Sequence, residues 1–246
     1  YHELDPEKLP WKKHGIDVVV ESTGLFRDRE GASKHIAAGA KKVLISAPGK
    51  EPDATIVMGV NHNDLKSKHK IVSCASCTTN CLAPIIKCIN DSLGVENAYM
   101  TTVHAYTTSQ VLLDIHNEKD RRRGRGGAIN LIPTTSGAAT AVAKVIPELK
   151  GKISGMAIRA PIPVGSLVDL TVVVPKNTSA EKVNAAIKRL AQTRLKGIIE
   201  YSEDELVSSD IVGNPHSAIF DSKLTYVNGK LVKLYAWYDN EWGYSN

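Results

Sequence analysis

The sequence predicts an α/β part built on a parallel sheet, followed by an α+β part with a mostly antiparallel sheet. Three observations predict it. Between Ile16 and Ser46 two short apolar runs rich in β-branched residues flank one helix-like stretch, the strand–helix–strand order of a parallel sheet. Beyond Tyr99 the strand-like runs are longer and are separated by long irregular connections, the texture of antiparallel pairing. The two textures meet at Ser73 to Pro84, S-C-A-S-C-T-T-N-C-L-A-P, where an apolar run stops and a helical run begins. A domain boundary is therefore expected near Ser76.

Length and composition bound the function. At 246 residues with 42% hydrophobic content the chain can bury a real core in one large or two modest domains. A formal charge of +5 is too mild to imply nucleic-acid binding by itself. No apolar run approaches the ~18 residues of a membrane span, and Tyr1 to Pro10 is polar rather than signal-like. Cysteines crowded at positions 74, 77, 81 and 88 do not resemble a disulfide framework, so a soluble protein of the reducing cytoplasm is expected.

In order, I-D-V-V-V-E from Ile16 suits a buried strand that ends on Ser22-Thr23-Gly24. Asp28 to Ala38 reads as a helix stopped by Gly39, and Lys42 to Ser46 as the next strand. Ser22-Thr23-Gly24 and Ser46-Ala47-Pro48 would lie at strand carboxyl ends, the edge where open α/β sheets bind ligands. Ile56 to Val60 and Lys70 to Ser73 look like strands separated by an Asn61-His62-Asn63-Asp64 turn. Leu82 to Ile89 is helical. Tyr99 to Thr107, Leu167 to Val174 and Leu231 to Tyr238 are strand-like, and Ala180 to Leu195 is an amphipathic helix opened by Thr178-Ser179.

The chemistry concentrates where the two parts meet. A thiol at a strand-to-helix turn meets the positive end of the helix dipole and unpaired N–H groups, which favour thiolate, so Cys77 is the candidate nucleophile. The bland alternative is a buried structural thiol, and Cys74-Ala-Ser-Cys77 also scans as a redox or metal motif. His104, surrounded by Thr101, Thr102, Tyr106, Thr107 and Thr108, is the candidate base; a satisfied core histidine is the competing reading. Thr134-Thr135-Ser136-Gly137 precedes a strong helical run, Ala138 to Val145, and can be an anion site or ordinary capping. Arg121, Arg122, Arg123 and Arg125 form a basic run that reads as a solvated loop, an RNA contact or a phosphate clamp. Arg159, alone in an apolar strand-like segment, needs an anion.

These residues resemble a known family. S-C-T-T-N-C-L-A-P at 76–84, T-V-H-A-Y-T at 102–107, T-S-G-A-A at 135–139, M-A-I-R at 156–159 and W-Y-D-N-E-W-G-Y-S at 237–245 are similar to phosphorylating glyceraldehyde-3-phosphate dehydrogenases. So are V-V-V-E-S-T-G at 18–24, I-S-A-P at 45–48, M-G-V-N-H at 58–62 and G-N-P-H-S at 213–217, in register across the chain. The resemblance implies a partial Rossmann-like sheet in 1–76, a catalytic domain in 77–241, and in 242–246 the start of a helix returning to the nucleotide-binding domain.

It also implies roles. Cys77 would attack the aldehyde carbon, and His104 would lower the thiol pKa and take the hydroxyl proton. Thr107 and Arg159 match the site for the substrate's C3 phosphate. Ser76, Thr78, Ser136, Gly137 and Arg123 match the site and loop for the attacking inorganic phosphate, with Arg159 shared between the two. Asn240 matches the residue that holds the nicotinamide carboxamide, and Thr23 and Ser46 match positions lining the cofactor groove. The implied cofactor is NAD, with NADP as an alternative, the implied assembly a homotetramer, and the implied place glycolysis. In such an assembly the basic run is buried between subunits rather than free to bind RNA.

Some positions depart from the pattern. The family's G-x-G-x-x-G turn and ribose-binding acid are not in this sequence, so the chain is expected to be incomplete at both termini, to bind cofactor poorly and to aggregate. Cys74 stands where Asn is usual, Ser136 replaces Thr, His116 replaces Pro and Leu4 replaces a frequent Arg. The rival readings are erythrose-4-phosphate dehydrogenase, which hydrolyses its thioester, a non-enzymatic RNA-binding role, and a cysteine hydrolase in which the first part would have no purpose.

Overall fold

A computed structural model of the chain describes residues 1–118 and 120–246. It divides into two compact units, Tyr1–Ser76 and Cys77–Asn246. The first unit contains a short helix α1 (Trp11–His14), β1 (Val18–Glu21), α2 (Arg29–Ala37), β2 (Lys42–Ile45), β3 (Ala54–Thr55) and β4 (Ile71–Ser73). The strands form a sheet of order β1-β2-β4-β3, every pair parallel. Helix α2 is started by Asp28, whose Oδ1 accepts from Gly31 N at 2.7 Å. It is stopped at Gly39, which has φ +109° and lies so close to Lys12 that a Cβ would sit 2.7 Å from the Lys12 Cα. Ala32, Val43, Ile45 and Ile71 form the core between α2 and the sheet.

The strand expected over Ile56 to Val60 is absent. The paired segment is Ala54–Thr55, and the chain then turns, because Asn61 Oδ1 accepts from Val57 N at 2.8 Å while its Nδ2 donates to Thr55 O at 2.9 Å. That side-chain clamp takes the backbone groups a strand would have used.

The second unit contains α3 (Cys77–Leu93), β5 (Asn97–Ala105), β6 (Ile132–Thr135), α4 (Ala138–Val145), β7 (Ile153–Ala160), β8 (Ser166–Val173), α5 (Ala180–Ala191), β9 (Ile199–Ser202), β10 (Ala218–Asp221), β11 (Tyr226–Asn228), β12 (Leu231–Tyr238) and α6 (Trp242–Ser245). Eight strands form one mixed sheet, β6-β7-β5-β8-β12-β10-β9 with β11 on the side of β12. Only β5 with β7 and β9 with β10 run parallel. Thr134 and Thr135, read as part of the stretch that precedes the helix, belong to β6, and the helix begins at Ala138, as expected.

Strand alternation decides which residues meet. Met100, Leu170 and Leu234 are paired in register across β5, β8 and β12 and are almost wholly buried, as are Thr102, Val168 and Ala236 in the next row. Two residues on from Thr102 along β5, His104 takes this same face, as does Tyr238 two on from Ala236 along β12. The buried helix α3 packs against β10 and β12 and against α4 and α5. The opposite face carries Tyr99, Thr171, Lys233 and Tyr226 in one register row, with Tyr99 and Tyr226 about half exposed.

Candidate active site

The approach to Cys77 is a tight turn. Ala75, fully buried, has φ +59°, a left-handed conformation that a non-glycine residue holds only at a cost in strain. Its N–H donates to Ser73 Oγ at 3.1 Å, and two residues later α3 begins with Cys77 itself. Ser76, at the end of the first unit, immediately precedes this helix.

Cys77 Sγ lies 3.3 Å from His104 Nε2. His104, only 3% exposed, is the penultimate residue of β5 rather than a mid-strand one. Its Nδ1 is 2.7 Å from Ala105 O, and a carbonyl only accepts, so the proton is assigned to Nδ1. Nε2 therefore turns a lone pair toward the thiol. Arg159 Nη1 lies 2.9 Å from the same Nδ1, 3.0 Å from Ala105 O and 3.5 Å from Thr107 Oγ1. Burial first, and then the Arg159 charge, lower the imidazole pKa from its ordinary 6.5 to about 4, against the Ala105 carbonyl, which raises it.

The helix start, expected to favour thiolate, is outweighed. Burial pushes the Cys77 thiol up, although the Thr78 N–H and hydroxyl and the Arg159 charge all pull it down. Both shifts favour not an ion pair but a thiol beside a neutral imidazole. Such a pair is poised for the proton to leave sulfur as carbon attacks it, with His104 as acceptor and Arg159 nearby to hold the developing oxyanion or a phosphate.

Thr78 and Thr102 are both tied to Tyr238: its hydroxyl lies 2.8 Å from each threonine Oγ1. The Tyr238 ring meets the His104 ring edge-on, with centroids 5.8 Å apart. The sequence places Tyr238 in a strand and in the 237–245 motif but gives it no role, because its partners Thr78 and Thr102 lie far away along the chain. Thr107 follows β5, and its N–H donates to Gln110 Oε1 at 3.0 Å. With Nδ1 protonated, Arg159 donates only to a carbonyl and a hydroxyl among the described residues, so its charge is left for an anion.

Other predicted residues lie apart from this cluster or are already engaged. Arg123 Nε donates to Thr134 Oγ1 at 2.8 Å and pairs with Asp120 at 3.3 Å, yet its charge is close enough to lower the Arg159 pKa, after burial. Arg125 pairs with Asp114 at 2.7 Å on the surface. Ser136 Oγ accepts from Ala138 N at 3.3 Å at the head of α4, and the space beside Gly137 Cα is open. Strand β6 runs beside β7, with Ile132 opposite Arg159. Asn240 Oδ1 accepts from Gly165 N at 3.1 Å and from Ser166 Oγ at 3.0 Å; the same Ser166 Oγ accepts from Ala105 N at 3.1 Å. The Asn240 Nδ2 end has no such partner among the described residues and is the part that can serve a ligand.

In the first unit Thr23 and Ser46 lie just beyond β1 and β2, at the carboxyl edge of the sheet. Thr23 N donates to Glu21 Oε1 at 2.8 Å, and Ser46 Oγ reaches Glu21 O at 3.4 Å. Sequence reasoning did not foresee what holds Glu21: its Oε2 meets His35 Nε2 at 2.9 Å, and His35 Nδ1 accepts from Trp11 Nε1 at 3.1 Å. Since Nδ1 accepts, Nε2 carries the proton and donates to the carboxylate.

Iodoacetamide is expected to alkylate Cys77 before the other thiols. Burial raises the Cys74 pKa, Cys81 is raised well above its ordinary value, and Cys88 is pushed up to about 12. Peptide mapping after brief labelling at neutral pH checks the order, and faster loss of Cys74 or Cys81 would contradict it.

The family described as glyceraldehyde 3-phosphate dehydrogenase, C-terminal domain, matches residues 76–240. The chain is 58% identical over 245 residues to a glyceraldehyde-3-phosphate dehydrogenase 2 of Nostoc sp., covering 99% of this chain and 72% of that protein. It is 54% identical over 247 residues to the glyceraldehyde-3-phosphate dehydrogenase of Streptomyces coelicolor, covering 99% and 73%. The enzyme of the same name from Mycobacterium bovis is 54% identical over 241 residues, covering 98% and 71%.

Proposed function

The chain belongs to the glyceraldehyde-3-phosphate dehydrogenase family, and from that premise we propose that it oxidises glyceraldehyde 3-phosphate with inorganic phosphate to 1,3-bisphosphoglycerate, as a step of glycolysis. The observation that carries the reading is the 3.3 Å approach of Cys77 Sγ to His104 Nε2. Sulfur attacks the aldehyde carbon while its proton passes to Nε2, giving a thiohemiacetal. His104 then holds the proton of the adduct's hydroxyl at the moment the carbon is oxidised, leaving a thioester on Cys77. Inorganic phosphate attacks that thioester and releases the acyl phosphate. Backbone N–H groups at the start of α3 stabilise the oxyanion in both tetrahedral stages.

Thr107 and Arg159 bind the C3 phosphate. Ser76, Thr78, Ser136, Gly137 and Arg123 serve the attacking phosphate, which suits a helix head with open space beside Gly137. The residues fit a nicotinamide cofactor: Asn240, its carbonyl fixed by Gly165 and Ser166, has an amide donor to spare for a carboxamide, and Thr23 and Ser46 lie at the carboxyl edge of a parallel sheet. NAD, when bound, supplies the hydride acceptor. No described helix is long and apolar enough to cross a membrane. From family membership the proposal extends to a cytoplasmic homotetramer.

The test is the phosphate dependence of NADH formation from glyceraldehyde 3-phosphate. Formation should require inorganic phosphate and stall after one acylation without it. Turnover that ignores phosphate would instead indicate thioester hydrolysis, the erythrose-4-phosphate dehydrogenase type of reaction.

A further inference from the structure

Among the described residues, the Gln110 amide in the turn after β5 is committed at one end and without a partner at the other. Its Oε1 accepts from Thr107 N at 3.0 Å and lies 3.4 Å from Thr107 Oγ1 and 3.5 Å from Ser109 Oγ. The turn is closed by Gln110 N donating to Thr107 O at 2.9 Å. Because a backbone N–H needs an acceptor, the orientation of the carboxamide is fixed: oxygen toward Thr107, nitrogen away. That nitrogen, Nε2, is shielded from solvent and has no partner among the described residues. The side chain is admitted by Gly127, where a Cβ would stand 3.1 Å from Gln110 Cβ. Thr107 Oγ1 in turn lies 3.5 Å from Arg159 Nη1 and 3.0 Å from Ser109 Oγ.

We propose that Gln110 is a positioning residue for the substrate-phosphate site, holding Thr107 so that its hydroxyl lies beside Arg159, where the anion would bind. This rests on the reading of Thr107 and Arg159 as the site of the C3 phosphate. A neutral amide suits the role better than a carboxylate of the same shape: glutamate would accept the same two bonds from Thr107 but would set a negative charge against the incoming phosphate. A residue with no acceptor would release the Thr107 N–H and hydroxyl from their common tether.

The probe is glycerol 3-phosphate, a phosphate ester without a reactive aldehyde, titrated calorimetrically into the full chain. Gln110→Met, close in length but without an acceptor, is expected to weaken binding about tenfold, the loss of roughly one charge-assisted contact. Gln110→Glu is expected to weaken it at least as much at low ionic strength, with the gap narrowing as salt screens the repulsion. The rate of Cys77 alkylation by iodoacetamide and the melting temperature should stay at their unaltered values in both variants, which separates positioning from general damage. Unchanged glycerol 3-phosphate affinity in both variants, or a loss accompanied by slowed alkylation and a fallen melting temperature, overturns the proposal. If the unaltered chain does not bind the ester, or if Arg159→Ala binds it equally well, the anion-site reading itself fails and the Gln110 role goes with it.

Discussion

Replacing Cys77 by serine is expected to abolish turnover, lowering it by roughly 10⁴-fold or more. The side chain keeps its place at the head of α3, and the substitution is nearly isosteric, so folding is little disturbed. What changes is the nucleophile. A hydroxyl is far harder to deprotonate than a thiol, and the imidazole facing it has a pKa near 4, a weak base for that purpose. Sulfur also leaves behind a thioester, which phosphate attacks much more readily than the oxygen ester that serine would form. Steady-state NADH formation measures the loss, and mass spectrometry of the protein after brief exposure to substrate and NAD locates the acyl group. The acyl mass should sit on Cys77 in the unaltered chain and be missing in Cys77→Ser. Acylation of Cys74 or Cys81 in its place would refute the assignment.

His104→Asn should produce the second-largest effect, a fall in turnover of roughly 10²- to 10³-fold, in the range of a removed general base. It should also alter how stability depends on pH. Folding lowers the His104 pKa from 6.5 to about 4, so the folded chain keeps the ring neutral where the unfolded chain would protonate it. Between those values the unfolded state binds the extra proton. The stabilising share is therefore complete above about pH 6.5 and is lost as pH falls toward 4, amounting to about 3 kcal/mol for this almost wholly buried group. Urea unfolding at pH 7 and pH 4.5 should show a smaller difference in His104→Asn than in the unaltered chain. An equal slope in both proteins would mean that the ring is not held neutral by the fold.

Much of the fold was legible because its signals are local. The helix over Ala138 to Val145 and the strand over Leu231 to Tyr238 have the expected limits, being strongly patterned and cleanly bounded. The segment Ile56 to Val60 misled because its apolar residues resemble a strand while Asn61 diverts the backbone. Strand β6 was hidden by Thr134 and Thr135, hydroxyl residues that serve a strand as well as a helix opening. The pairing of Cys77 with His104 could only be suspected from spacing, since proximity depends on which face of β5 meets α3. The protonation balance was less accessible still: the dipole at a helix start can be read from sequence, whereas the desolvation that outweighs it belongs to the packed structure. Tyr238, Gln110 and the Trp11–His35–Glu21 chain were invisible for the same reason, each being defined by partners distant along the chain or by a turn's geometry.

The phenol of Tyr238 joins residues separated by 160 positions at Thr78 and 136 positions at Thr102. During synthesis the reactive cysteine therefore emerges long before the last strand that anchors the head of its helix. Contacts of such long sequence separation form late, because the loop they close must first be ordered. A chain still attached to the ribosome carries its thiol before it carries the junction that orients it. The Cys77–His104 junction is thus expected to be among the final parts of the second unit to be completed, and stalling synthesis before Tyr238 should leave a cysteine that can be labelled but is not aligned with its imidazole.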